Sequence, residues 1–331
     1  MEFEQFLPKT FPKNLLDKDW KERKCYCVKG RREFLCLVHN MLVKNDDVWL
    51  VTLPKCGTTW MQELLWLVLN NFDFDAAKNE HLEVRTPFLE FDYIINEDLK
   101  TALRPVEMLT SPRLIKSHLP LPLLPAQLWS KLPKCKHCLL RLIKLIYVYR
   151  DPKDALISQY YFGRSMGFNM DKTLEQFLTE KIESREAECD FDHVTEFYFL
   201  RSQAWLYYTS FERMKMNLRQ IVEDICQFLD RPISDEQMHQ MLKHLSFEEM
   251  KANTKTNHIW EIEQVRAKHG LPYEDHSFVR KGKVGGFKEE LSSEFISRVD
   301  AWINKNVSKY NSALVEVEVQ GGWQPPRTVQ T

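Results

Sequence analysis

Between Val48 and Leu69 the chain runs from an apolar stretch, Val48-Trp49-Leu50-Val51-Thr52-Leu53, through the turn Pro54-Lys55-Cys56-Gly57-Thr58-Thr59. Apolar residues at helical spacing follow: Trp60, Met61, Leu64, Leu65, Leu67 and Val68. A strand that is apolar on both faces belongs inside a parallel sheet covered on both sides. Two further runs have the same form. Leu114-Ile115-Lys116-Ser117 leads into His118-Leu119-Pro120, and Lys144-Leu145-Ile146-Tyr147-Val148-Tyr149 leads into Arg150-Asp151-Pro152-Lys153-Asp154. A helix is expected next, through Ala155, Leu156, Ser158 and Tyr161. Each predicted strand carries polar residues at its carboxyl end, where open α/β sheets bind ligands. The expected fold class is therefore α/β, a single domain with a central parallel β-sheet flanked by helices. Its phosphate-binding strand–turn–helix would be P-loop-like. From about Leu174 onward the pattern reads as mostly helical, most strongly through Leu218, Ile221, Val222, Ile225 and Phe228.

The 331 residues leave room for about two domains at roughly 150 residues each. No linker or repeat divides them, so one domain is expected. With 46 Lys+Arg against 47 Asp+Glu the net charge is −1, which removes any global pull toward nucleic acid. The N-terminus has no basic start followed by an apolar run, so no secretory signal is read there. The apolar stretch around Leu64 to Leu69 is far below the ~20 residues of a membrane span. A cytoplasmic location without a membrane partner is expected, and the eight Cys are read as reduced thiols. Cys135-Lys136-His137-Cys138 reads either as part of a zinc site or as a solvent-exposed basic loop. Cys25 and Cys27, one residue apart, do not supply the second paired knuckle that zinc would want.

The turn before Thr58 is a candidate phosphate cradle. A helix N-terminus presents unpaired N–H groups and the positive end of the helix dipole. Gly57 allows close backbone approach, Thr58 and Thr59 add hydroxyls, and Lys55 can place a positive charge over an anion. The Lys precedes the Gly, so this is not the nucleotide-kinase pattern G-x-x-x-x-G-K-[ST], and no matching acid for a metal is evident. A helix-capping turn without a ligand is the other reading. His118, after a buried strand and near Lys116, suits proton abstraction from a hydroxyl, or is a satisfied core imidazole. Arg150 and Ser158 could form a second anion site, or Arg150 could pair structurally with Asp154. Phe278-Val279-Arg280-Lys281-Gly282 is a cationic stretch that alone would read as a solvated loop.

In this order the pieces resemble the cytosolic sulfotransferase family. The resemblance rests on LPKCGTTW (Leu53 to Trp60), LIKSHLP (Leu114 to Pro120) and YVYRDPKDALIS (Tyr147 to Ser158). LSFEEMK (Leu245 to Lys251) and FVRKGKVGGFK (Phe278 to Lys288) continue it. It implies an N-terminal extension over 1–45, a sulfotransferase domain over 46–310 and a tail over 311–331. It also implies metal-free transfer of a sulfuryl group from 3′-phosphoadenosine 5′-phosphosulfate (PAPS) to a hydroxyl or amine. By the same resemblance Lys55, Cys56, Gly57, Thr58, Thr59 and Trp60 would hold the 5′-phosphosulfate, with Trp60 against the adenine. Arg150, Ser158, Arg280, Lys281 and Gly282, flanked by Phe278 and Val279, would meet the 3′-phosphate. Leu245, Ser246, Phe247 and Met250 would line the adenosine. Lys55 would stabilise the leaving phosphate, His118 would be the base, and Lys116 would sit beside it in the acceptor pocket.

Departures from the family pattern are specific. Cys56 stands where Ser is usual, trading a hydroxyl contact for an oxidisable thiol. Phe211 stands where a Tyr commonly reaches the adenine, and Leu245 replaces a common Thr. The stretch Lys134 to Leu142 reads as an insertion before the third strand. Ser292, Ser293 and Ser297 match the family's dimerisation pattern poorly, so a homodimer is possible on a poorly matched motif. Phe88, Leu89, Phe91, Tyr93, Tyr160 and Phe162 are candidates for an acceptor pocket or for ordinary core. A phenol, alcohol, sterol or amine would fit such a pocket. A binder of nucleotide or hydrophobic ligands with impaired catalysis is the alternative on the same fold.

Overall fold

The computed structural model describes residues 3–6, 25–28, 31–131, 143–272 and 278–308. The insertion from Lys134 to Leu142, with its Cys135–Cys138 candidate, and the tail 311–331 lie outside them. Strands β1 (Phe3–Phe6) and β2 (Cys25–Val28) form an antiparallel pair. The central sheet has four strands: β3 (Val48–Thr52), β4 (Leu114–Ser117), β5 (Lys144–Tyr149) and β6 (Leu206–Ser210). All four are parallel, in the order β4-β3-β5-β6.

Side chains alternate across a strand, so the two faces of the sheet build two cores. Trp49, Val51, Ile115, Leu145 and Tyr147 share one with Phe34, Leu35 and Val38 of the helix Arg32–Asn40. Val48, Leu50, Leu114, Ile146 and Val148 pack on the other against Met61, Leu64 and Leu65 of the helix Thr58–Leu69. Ile221, Val222 and Ile225 of the helix Leu218–Phe228 close that side. A third cluster joins Leu156 and Ile157 of the helix Pro152–Ser165 to Phe295, Val299 and Ile303 of the helix Ser293–Val307. No helix among the described residues is long and apolar enough to cross a membrane.

Past Leu174 the described residues are mostly helical, as expected, and strand β6 is the element the pattern did not show. Its sequence, Leu-Tyr-Tyr-Thr-Ser, is short and rich in residues that fit a pleated surface. Five register pairs, from Leu145↔Leu206 to Tyr149↔Ser210, place it at the edge of the sheet. The consequence for the site is positional. Thr52 lies level with Val148, Ser117 with Val51, and Ser210 with Tyr149. Four strands therefore end at one edge, and the residues just beyond them converge.

Candidate active site

A cleft of about 410 Å³ opens at that edge, and Lys55, His118, Arg150 and Phe211, each from beyond a different strand, all line it. At its base Gly57 takes φ +92° and Lys55 φ +68°, bending the chain into the helix Thr58–Leu69. Met61 N–H closes the first turn onto Gly57 C=O (3.1 Å), and no side chain caps this end. Its leading amides are thus free for an anion. A Cβ on Gly57 would lie 2.9 Å from Phe211 Cδ2, so a side chain there is excluded by both backbone and neighbour. Lys55 Nζ sits 3.2 Å from the ring centroid of Phe278. Burial, then the charges of Arg150, Lys116 and Arg280, push its ammonium far below the usual lysine range. Several cations crowd one cavity, and an anion would relieve them.

His118 is fixed in one tautomer. Its Nδ1 lies 2.8 Å from Thr52 C=O, which can only accept, so Nδ1 carries the proton and Nε2 keeps its lone pair. Glu90 Oε1 accepts the His118 backbone N–H (2.8 Å), locking the residue in place. Burial and then the Lys116 charge push the imidazole down to about 3, against the bond to Thr52, so it is neutral at pH 7. Burial pushes the Glu90 carboxyl up to about 7, and its Oε2 has no hydrogen-bond partner.

Arg150 donates to Lys55 C=O (3.2 Å) and Lys283 C=O (3.1 Å), and its guanidinium lies 4.3 Å from the Phe211 ring centroid. The alternative pairing with Asp154 exists at 3.9 Å. Asp154 is mainly engaged elsewhere, accepting the backbone N–H of Gly285 (2.7 Å) and Phe287 (2.9 Å). Arg150 Nε is buried without a partner. Ser158, Phe278, Val279, Arg280, Lys281 and Gly282 line the same cleft. Arg280 and Lys281 both bond Glu290, at 2.7 and 2.9 Å.

An aromatic wall adjoins the phosphate turn. Trp60 meets Phe211 edge-on (5.8 Å between centroids) and donates Nε1–H to Leu245 C=O (2.9 Å). Leu245, Phe247 and Met250 line this part of the cleft. A Cβ on Gly282 would stand 2.6 Å from the Phe247 ring. Two expected residues are not in the lining. Ser246 turns its hydroxyl to Glu249 N–H and caps the helix Phe247–Ala252. Cys56 is buried, its Sγ 3.8 Å from Pro54 C=O, and burial pushes its thiol up to about 12. The expectation of an oxidisable thiol is corrected accordingly, because an inaccessible thiol without thiolate character does not react.

Of the six acceptor-pocket candidates, Phe88, Phe91 and Phe162 line the cleft. Leu89 is core, Tyr93 stacks on Phe34 (4.7 Å), and Tyr160 bonds Lys172 C=O (2.8 Å). Lys116 Nζ bonds Glu83 Oε1 (3.0 Å). Beside it the fold gathers Glu83, His258 and Glu261, with ligand atoms within 4.8 Å of one another. No acidic cluster was legible in the sequence, because Glu83 lies some 175 positions from His258 and Glu261, which are three residues apart.

A family model described as a sulfotransferase domain matches residues 45–311. The chain is 35% identical to the luciferin sulfotransferase of Photinus pyralis over 80% of this chain and 73% of that one. It is 31% identical to the sulfotransferase 1E1 of Bos taurus, over 81% and 87%. Among solved structures, retinol dehydratase in complex with retinol and PAP superposes with a TM-score of 0.71 at 21% identity, covering 93% of this chain and 97% of that one. A mouse sulfotransferase complexed with PAP gives a TM-score of 0.61 at 19% identity, over 92% and 100%. With its domain matched over residues 45–311 and relatives above 30% identity, the chain belongs to the sulfotransferase family.

Proposed function

We propose that this sulfotransferase takes its sulfuryl group from PAPS and passes it to a hydroxyl or amine of a small hydrophobic or phenolic acceptor. The observation that carries the reading is the convergence of Lys55, Arg150, Lys116 and Arg280 in one cleft, where burial first and then the neighbouring cations depress the Lys55 ammonium. The orphaned Arg150 Nε and the side-chain-free approaches at Gly57 and Gly282 fit a bound polyanion. PAPS supplies one thing, a sulfuryl group activated by its phosphate leaving group. Lys55, Gly57, Thr58, Thr59 and the Cys56 backbone N–H hold the phosphosulfate end. Arg150, Ser158, Arg280 and Lys281 meet the 3′-phosphate, which displaces Glu290 from the two latter cations. Trp60, Phe247 and Met250 wall the adenosine.

His118 Nε2 takes the acceptor's proton as the acceptor oxygen bonds to sulfur and the sulfur–oxygen bond to the phosphate breaks. Lys55 and the helix end meet the charge that develops on the leaving phosphate, so no metal is invoked for that step. The acceptor class rests on the apolar lining at Phe88, Phe91 and Phe162. It also rests on relatives and neighbours named for luciferin or holding retinol or androsterone. His118→Ala tests the base. Turnover with PAPS and a phenol panel should fall by ~10²-fold or more, while calorimetric affinity for adenosine 3′,5′-bisphosphate (PAP) stays within about threefold. A drop in turnover of only a few-fold removes His118 from that role.

A further inference from the structure

Glu83 and Glu261 line the cleft together with Lys116, His118 and the aromatic residues Phe88 and Phe91. Glu83 comes from the short helix Leu82–Arg85 and Glu261 from the helix Ile259–Lys268. Each side chain is 8% exposed. Glu83 is fully engaged, Oε1 by Lys116 Nζ (3.0 Å) and Oε2 by Phe88 N–H (3.2 Å). Glu261 is not. His258 Nδ1 pairs with its Oε1 at 3.6 Å, longer than a normal hydrogen bond. That nitrogen stands 3.5 Å from Glu83 as well, and His258 Nε2 is held by Thr59 Oγ1 (2.9 Å).

Two carboxylates therefore face one ammonium and the His258 imidazole, in a cleft that Phe88, Phe91, Ile262 and Val265 also line. A buried carboxylate is stabilised further by a cation that bonds it directly. Burial alone pushes the Glu261 carboxyl up, but His258 and the Lys116 charge outweigh it and leave the group below the ordinary value. It is anionic at neutral pH.

Resting on the transfer reading above, we propose that Glu261 is an anchor for an ammonium group on the acceptor, holding an amine-bearing aromatic alcohol or phenol with its hydroxyl toward His118. An ammonium needs only the unengaged Glu261 oxygens, and the flanking aromatic faces favour it further. A divalent cation seated among Glu83, His258 and Glu261 would instead have to displace the Lys116 ammonium from Glu83.

Tyramine and 4-ethylphenol share a phenol and differ by the ammonium. Both are titrated calorimetrically into the full chain and into Glu261→Gln, each with and without PAP, with melting curves as a check on folding. The wild type should bind tyramine at least tenfold more tightly than 4-ethylphenol, and Glu261→Gln should bring that ratio to within threefold of one. With PAPS the kcat/KM ratio should follow. A wild-type ratio near one overturns the anchor, as does a ratio that Glu261→Gln leaves unchanged. So does micromolar Zn²⁺ binding by the wild type that the variant loses, which would assign the cluster to a metal. Absence of PAP binding would defeat the transfer reading, while the tyramine ratio without PAP would still decide the anchor.

Discussion

Replacing Arg150 by Ala takes away a guanidinium that stitches two segments lining the cleft, through Lys55 C=O and Lys283 C=O, and stacks on Phe211. A charge-assisted hydrogen bond to a phosphate contributes about 1.5–3 kcal/mol, which is about 10- to 140-fold in Kd. Calorimetric titration with PAP should show a loss in that range for Arg150→Ala. Arg150→Lys should fall between, because a point charge cannot reach two carbonyls and a phosphate at once. Adenosine 5′-monophosphate, which lacks the 3′-phosphate, separates contact from scaffolding. If Arg150 meets the 3′-phosphate, affinity for the monophosphate changes by less than about threefold. If it only ties Lys55 to Lys283, both ligands weaken together. A PAP affinity within about threefold of wild type, with an unaltered melting curve, refutes the assignment.

Four other outcomes follow from the same geometry. The folded chain keeps His118 neutral down to about 3, so kcat/KM for PAPS should stay flat from pH 7.5 to 5.5; an ordinary histidine near 6.5 would cost about tenfold at the lower end. The unfolded chain binds that proton first, so stability falls as pH drops from 6.5 toward 3, by up to about 1.4 kcal/mol per unit, and His118→Gln should flatten the slope of Tm against pH. Iodoacetamide at pH 8 should label exposed Cys36 and spare buried Cys56 in the native chain, and equal labelling by mass spectrometry contradicts the placement. Gly57→Ala forces a side chain to φ +92° and 2.9 Å from Phe211. It should cost about 1–2 kcal/mol, lower Tm by a few degrees and weaken PAP, and unchanged values in both assays count against the cradle.

The strand ends were legible because each combines a continuous apolar run with an abrupt change to polar residues. Val48–Thr52, Leu114–Ser117 and Lys144–Tyr149 appear where that pattern lies, and with them Lys55, His118 and Arg150. Strand β6 was hidden because Tyr207 and Tyr208 break the apolar run, and its place depends on pairing with β5 rather than on its own sequence. Ser246 was misplaced for a local reason, since a Ser three residues before Glu249 is a good helix cap and the hydroxyl goes there. Glu83, His258 and Glu261 were illegible one at a time. A carboxylate on a short helix looks solvated until the fold sets Lys116 and His258 against it.

Asp154 holds the Gly285 and Phe287 amides from 131 and 133 positions away in the chain. Asp154 thus ties down the turn that carries Arg280 through Gly282, together with Arg150 at Lys283 C=O. Opening it breaks two bonds to a charged group, together about 3–6 kcal/mol, so the open form is a minor state of roughly one molecule in 10² to 10⁴. For a nucleotide bound as proposed above, release would need those bonds to open, and exchange of the two amides with deuterated water would report the same opening.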